Sequence, residues 1–274
     1  MKVNTFIIGV QKAGTTSLYE WLLQHPQVCG EIFLKDYPFF IDSKLYEQGS
    51  HILENRFNCL NEPVVISGCV DYIEDFDSLK RIKSYNPDAK VILILRKAES
   101  RIQSAHTFLR QLAKEEHEDI NEAIENDEEY LNRSIYAKKV AQLHDLFKSS
   151  QIKIILFEKL VAKPSAVLEE VFEFLTIEQT TEIKIFNANK TAEPRFKVIN
   201  KIVFDKESNL VLRSIVKKVF PPKLRLQIQR LIKNTNTKKR ASSNKKQTLN
   251  EKYIEAFKKD REALKKYIDV ETYW

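Results

Sequence analysis

The chain has 274 residues, 43% of them apolar and 30% charged, with a formal net charge of +7 at pH 7. That is enough chain to bury a full core as one domain with helical additions, and the composition is that of an ordinary globular protein. No apolar run approaches the ~20 residues that span a bilayer, and the opening MKVNTFIIGV has no small-residue cleavage site, so neither a membrane anchor nor a secretory leader is expected and the cytoplasm is the expected location.

The three cysteines, Cys29, Cys59 and Cys69, are odd in number and show no CxxC spacing. Neither a disulfide framework nor a zinc site is expected, and three reduced thiols follow. The charge is uneven: Ser208 to Asn250 holds twelve Lys or Arg and no acidic residue, whereas nine carboxylates crowd Glu115 to Glu129. A basic block of this kind suits a nucleic acid, an anionic membrane, an anionic ligand or simply a solvated face.

In chain order, residues 3–9 form a short apolar run ending in Gly9, which suits a buried strand, and Thr15 to Gln24 follow as a helix that stops at His25-Pro26. His25 reads as a structural turn residue. A second strand is expected near Val64 to Cys69, and a helix over DSLKRIKSYNPDA that ends at its Asn-Pro step. KVILILR is a third strand, apolar on both faces, and Ala98 to Lys114 the helix after it. The acidic stretch is expected as a surface excursion. The series closes with a helix in NRSIYAKKVAQLHDLFKSS, a fourth strand in IKIILFE, and a helix in KPSAVLEEVFEFLTI with proline near its start. Alternating strands and helices predict an α/β fold with a mainly parallel sheet. After about Phe186 the strands are expected to stop. One domain is expected over 1–274, an α/β core of 1–186 followed by a helical cap of 187–274 that carries a basic loop.

Gly9 and Gly14 are spaced as in a Walker A loop, yet Thr15 and Thr16 follow the second glycine, and the lysine, Lys12, precedes it. A glycine turn that feeds a helix presents backbone N–H groups and the positive end of the helix dipole. Lys12 adds a charge, and Thr15, Thr16 and Ser17 add hydroxyls, so Lys12, Ala13, Gly14, Thr15, Thr16 and Ser17 form an expected cradle for a phosphate-like group. The strand KVILILR ends in Arg96, with Ser104 eight residues on. An arginine at the C-terminal edge of such a sheet offers a planar fork to a second phosphate, where an NTPase would place an acidic Mg²⁺ ligand. No metal site is expected. Asp36, in KDYPFF, falls on a loop beside the cradle and could accept a proton from an incoming hydroxyl; a turn or capping role is its other reading.

Together these stretches resemble the sulfotransferases that use 3′-phosphoadenosine 5′-phosphosulfate (PAPS), in the branch of the heparan-sulfate type and its bacterial relatives. QKAGTTSL is similar to that family's 5′-phosphosulfate loop, ILRKAESRIQSA to its 3′-phosphate motif L-R-x-P-x-x-R-x-x-S, and HPQV…KDYPFF to its HP…KE-x-x-FF stretch. YAKKVAQLHDLF, IILFEKLVAKPSAVLEEVFEFL, EPRF and DREALKKYIDVETYW also fit. Three positions depart from the pattern: Ala98 replaces the usual proline, Asp36 stands where the catalytic glutamate falls, and Val70 stands where proline is frequent. The resemblance implies a three-layer, P-loop-like fold with a helical C-terminal region. It also implies PAPS as donor, Arg96 and Ser104 on the 3′-phosphate, Lys12 at the leaving oxygen and Asp36 as base, with His106 the runner-up.

On the same resemblance the acceptor is a hydroxyl of a glycan or glycolipid. The basic block then has three readings: KKRASSNKK, with Lys238, Lys239 and Arg240, closing over the 3′-phosphate; a peripheral contact with an anionic membrane; or an amphipathic helix with solvated lysines. Two other classes compete. One is a P-loop kinase or NTPase with Asp71 as the Walker B carboxylate, and the other a nucleic-acid-binding module, for which no helix-turn-helix, zinc finger or aromatic platform is visible.

Overall fold

The computed structural model describes residues 2–31, 35–112, 114–186, 192–194, 237–239 and 247–274. Two compact units divide the chain, one of Met1–His106, His117–Asn189 and Gln247–Trp274, the other of Thr107–Glu116 and Lys190–Lys246.

The larger unit is built on five strands, β1 (Thr5–Gly9), β2 (Val28–Gly30), β3 (Val64–Gly68), β4 (Lys90–Leu95) and β5 (Ile152–Leu156), in the spatial order β2-β3-β1-β4-β5. Every pairing is parallel. The residues of β1 and β3 are all buried, and those of β4 are buried after Lys90, as expected for near-continuous runs of Val, Ile and Leu covered on both faces. The helices are α1 (Thr15–Leu22), α2 (Ser43–Glu47), α3 (His51–Glu54), α4 (Phe76–Tyr85), α5 (Ala98–Gln111), α6 (Ile120–Asn126), α7 (Glu129–Asn132), α8 (Ala137–Leu146), α9 (Phe157–Ala162), α10 (Pro164–Leu175) and a C-terminal helix, Glu251–Leu264.

Local chemistry sets many of these boundaries. Asp75 caps α4 by accepting from Asp77 N and Ser78 N, each at 3.2 Å, and the helix stops one residue before Asn86-Pro87. Pro164 opens α10, where its missing N–H costs nothing. A knot of aromatic rings centres on Phe40, which meets Phe6, Tyr72 and Tyr85 each at 5.6 Å and Phe39 at 4.9 Å. Phe39 and Phe40 are wholly buried, and each contributes about 1.5–3 kcal/mol by leaving water. They anchor the segment that carries Asp36.

Four expectations are corrected. Val28–Gly30, where no strand was expected, is the sheet's edge strand; three residues are too few to show a period. The acidic stretch contains α6, capped by Asp119 and burying Ile120, Ala123 and Ile124, so one face of a charge-rich segment belongs to the core. Strands do not end at Phe186: in the smaller unit β6 (Ala192–Pro194) pairs antiparallel with β7 (Thr237–Lys239). Apart from Thr237–Lys239 and residues 247–250, the basic block of 208–250, Arg240 included, lies outside the described residues. The fourth correction concerns the thiols. Cys29 and Cys59 form a disulfide with their Cα atoms 5.6 Å apart, while Cys69 stays free and buried. Thirty residues separate the pair, and only the return of the chain past β2 after α3 brings them together. The Cys69 thiol is pushed up to about 12 by burial. Among the described residues no helix is long and apolar enough to cross a membrane.

Candidate active site

The C-terminal ends of β1, β3 and β4 share one edge of the sheet, the edge at which parallel α/β sheets bind ligands. At β1 the chain leaves Gly9 and turns into α1 through residues 10–14. Val10 N donates to Ile94 O at 2.9 Å and Ala13 N to Val10 O at 3.3 Å, which folds the loop back on β4. Gly14 is the N-cap of α1 at φ 81°, in the left-handed region, and a Cβ there would lie 3.1 Å from the Phe157 ring and 3.3 Å from Leu160. Lys12 adopts φ 72° without being glycine. No side chain caps α1 and its first turn has no acidic residue, so the helix start keeps the positive polarity that attracts an anion.

Arg96 follows β4. Its Nη1 donates to the Lys12 carbonyl at 2.8 Å, and its guanidinium lies 4.5 Å from the centre of the Phe157 ring. Its Nε is buried with no hydrogen-bond partner among the described residues. Burial pulls the guanidinium below its ordinary pKa, against the opposing charge of Glu158. Glu158 is itself engaged, accepting from Lys97 N at 3.1 Å and Trp274 Nε1 at 2.8 Å. A half-buried cation with an unmet donor fits an anionic ligand. Ser104, half-buried on α5, sits two turns further along. The structure thus joins Arg96 directly to the loop of Lys12, whereas Ser104 makes no hydrogen bond to that loop.

Asp36 is at φ 71°. Its N–H donates to Gly68 O at 2.6 Å. Its Oδ1 accepts from Val70 N at 3.1 Å, and both carboxylate oxygens accept from Lys35 Nζ at 2.8 Å. The side chain is 43% exposed, while that of Lys35 is 8% exposed. Val70 also runs close to the end of β1, where its carbonyl would lie 3.3 Å from a Cβ on Gly9. Asp36 is therefore one residue, Val70, removed from Gly9 at the end of β1, and its side chain is open to solvent.

The other candidates lie elsewhere. His106 is buried, and its Nε2 donates to His117 O at 2.9 Å, which occupies the runner-up base. His25 accepts from Gln27 N at Nδ1 (3.1 Å) and donates from Nε2 to Glu178 O (2.9 Å), a structural role. Asp71 lies beyond β3 and accepts from Arg133 Nη1 at 2.6 Å.

Sequence reasoning missed a buried carboxylate at this edge. Glu31 follows β2 with its side chain fully enclosed, accepting from Arg56 Nε at 2.7 Å and Ser67 Oγ at 2.8 Å. Burial pushes its carboxyl above the ordinary value, against the pull of Arg56 and Ser67. Its partners are 25 and 36 residues away, so no local pattern announces it.

Among known proteins, the chain is similar to the human heparan sulfate glucosamine 3-O-sulfotransferase 3B1, with 26% identity over 199 residues, 69% of this chain and 50% of that protein. It is 27% identical over 196 residues to the mouse bifunctional heparan sulfate N-deacetylase/N-sulfotransferase 4, covering 62% of this chain and 22% of that one. The chain thus matches half or less of the length of either relative. In fold it resembles a sulfotransferase from Alicyclobacillus acidocaldarius, with a TM-score of 0.61 and 23% identity over 84% of this chain and 96% of that one. Residues 2–269 match the family described as "Sulfotransferase domain", and the chain therefore belongs to the sulfotransferase family.

Proposed function

We propose that this sulfotransferase moves the sulfuryl group of PAPS to a hydroxyl of a glycan or glycolipid acceptor. The observation that carries the reading is the Arg96–Lys12 contact, which sets a buried, under-satisfied guanidinium against an uncapped helix N-terminus. Two anion-seeking elements at one edge suit a ligand with two phosphate-type groups. Lys12 and the N–H groups of Gly14, Thr15 and Thr16 would hold the 5′ group, and Arg96 and Ser104 the 3′-phosphate.

When bound, PAPS supplies an activated sulfuryl group attached to a good leaving phosphate. Lys12 and the α1 N-terminus would then supply positive charge to the oxygen on which negative charge grows as the sulfur–oxygen bond breaks, and would stabilise that charge more than the ground state. Asp36 takes the proton of the acceptor hydroxyl. Its Oδ2 is the suited atom, since Oδ1 already accepts from Val70 N as well as Lys35. Both relatives are named for heparan sulfate, which supports a glycan acceptor, and the 3-O-sulfotransferase among them supports a hydroxyl as the accepting group.

Titration calorimetry with 3′,5′-adenosine bisphosphate and AMP tests the donor site. Each charge-assisted contact is worth about 1.5–3 kcal/mol, so the bisphosphate should bind at least ~10-fold more tightly. Equal affinities would remove Arg96 and Ser104 from the site. Transfer from labelled PAPS to a panel of glycans tests the acceptor, and a silent glycan panel beside a reactive small alcohol would overturn that part.

A further inference from the structure

Asp36 is held in a left-handed backbone conformation, which Asp tolerates better than most L-residues but which still needs support from its surroundings. Its neighbours on both sides trace to one buried ion pair. On one side, Glu31 Oε1 accepts from Ser67 Oγ at 2.8 Å; Ser67 precedes Gly68, whose carbonyl receives the Asp36 N–H at 2.6 Å. On the other, Arg56 binds Glu31 Oε2 through Nε at 2.7 Å and lays its guanidinium 3.9 Å from the centre of the Tyr37 ring. The Tyr37 carbonyl is fixed in turn by Tyr72 OH at 2.8 Å. The pair is itself seated: Glu31 N donates to Tyr19 OH at 2.9 Å, Glu31 bridges Phe57, and the Cys29–Cys59 bond closes the same two segments.

We propose that the Glu31–Arg56 pair is the positioning pair of the base loop, setting the backbone of Asp36 against the end of β3 while taking no part in nucleotide binding. This rests on the reading of Asp36 as the base. The side chains of the pair reach Ser67 and Tyr37, which flank the Asp36 contact, and its backbone meets α1 at Tyr19, two residues beyond the cradle of residues 9–17. A pair that fixes a reacting group within a fraction of an ångström governs the rate of the chemical step, and a displacement of ~1 Å costs on the order of 100-fold.

Breaking one half of a buried ion pair strands the other charge, so the first test replaces both halves, as Glu31→Leu with Arg56→Met, which can leave stability near its original value. The expected result is a folded protein whose kcat falls about 10–100-fold while its dissociation constant for 3′,5′-adenosine bisphosphate stays within ~2-fold. Arg56→Lys is measured beside it, in case the double variant does not fold. It keeps the charge but loses the planar stack on Tyr37, and the same split between kcat and bisphosphate affinity is expected at smaller amplitude. Unchanged kcat in Arg56→Lys or in the folded double variant overturns the inference, as does a parallel loss of bisphosphate affinity. In an Asp36→Asn background the pair variants should cost nothing further, because they act through Asp36; additive losses would overturn it too. Full activity of Asp36→Asn alone sinks the base reading itself, whereas an inactive Asp36→Asn beside fully active pair variants sinks only the positioning role.

Discussion

The proposed donor cradle and the proposed base loop share one edge of one sheet, yet they are held by different means. The cradle is mostly local: residues 9–17 make most of it, and its shape comes from Gly14 at φ 81° and a helix start with no side-chain cap, with Ile94 and Arg96 at the end of β4 holding it from a distance. The base loop is assembled from afar, with Asp36 fastened to Gly68 and Val70, its neighbours to Arg56 and Tyr72, and the whole closed by Cys29–Cys59. A contiguous loop on a strand end carries its conformation in its own backbone choices. A loop pinned by four segments depends on packing and cross-links that act on stability as well as on chemistry.

The sharpest way to separate the two regions is to remove the proposed chemistry from each. Asp36→Asn should lower kcat by about 10²–10⁴-fold, as loss of a general base does, and leave bisphosphate affinity intact. Lys12→Ala should lower kcat by about 10²–10³-fold, because it removes the charge proposed to stabilise the leaving oxygen. Steady-state kinetics with bisphosphate titrations on the same preparations check both, and near-full turnover in either variant removes that residue from the mechanism.

Next in size is the clasp behind the base loop. A cross-link closing about 30 residues restrains the unfolded chain, so Cys59→Ser should cost about 2–4 kcal/mol in a denaturant melt. Thiol counting under denaturing conditions should find one reactive group, Cys69, without reductant and all three with it. Three thiols without reductant would mean that packing alone holds the base side, and the contrast with the cradle would weaken.

The smallest effect is expected where the cradle relies on glycine. Gly14→Ala places a Cβ at φ 81°, 3.1 Å from the Phe157 ring. The left-handed conformation costs about 1–2 kcal/mol, and the same shift in backbone should weaken the bisphosphate by about 10-fold in calorimetry. An unchanged dissociation constant would show that the N–H array tolerates a different turn.

The strands β1, β3, β4 and β5 were legible because each is a run of Val, Ile, Leu and Phe bounded by polar or glycine residues, and burial on both faces requires such a run. The helices α1, α4 and α10 were legible from apolar spacing and from His25-Pro26, Asn86-Pro87 and Pro164. The cradle was legible for the same reason, since a phosphate-type loop needs particular residues at fixed local spacing. Nothing local announced β2, the face that α6 buries, the β6–β7 pairing or the Cys29–Cys59 bond. The enclosure of Glu31 by Arg56 and Ser67 was equally hidden. Each depends on segments tens of residues apart meeting in space. Chain connectivity does not encode such a meeting in any short window; only the simultaneous burial of the sheet's two faces and its edge selects it.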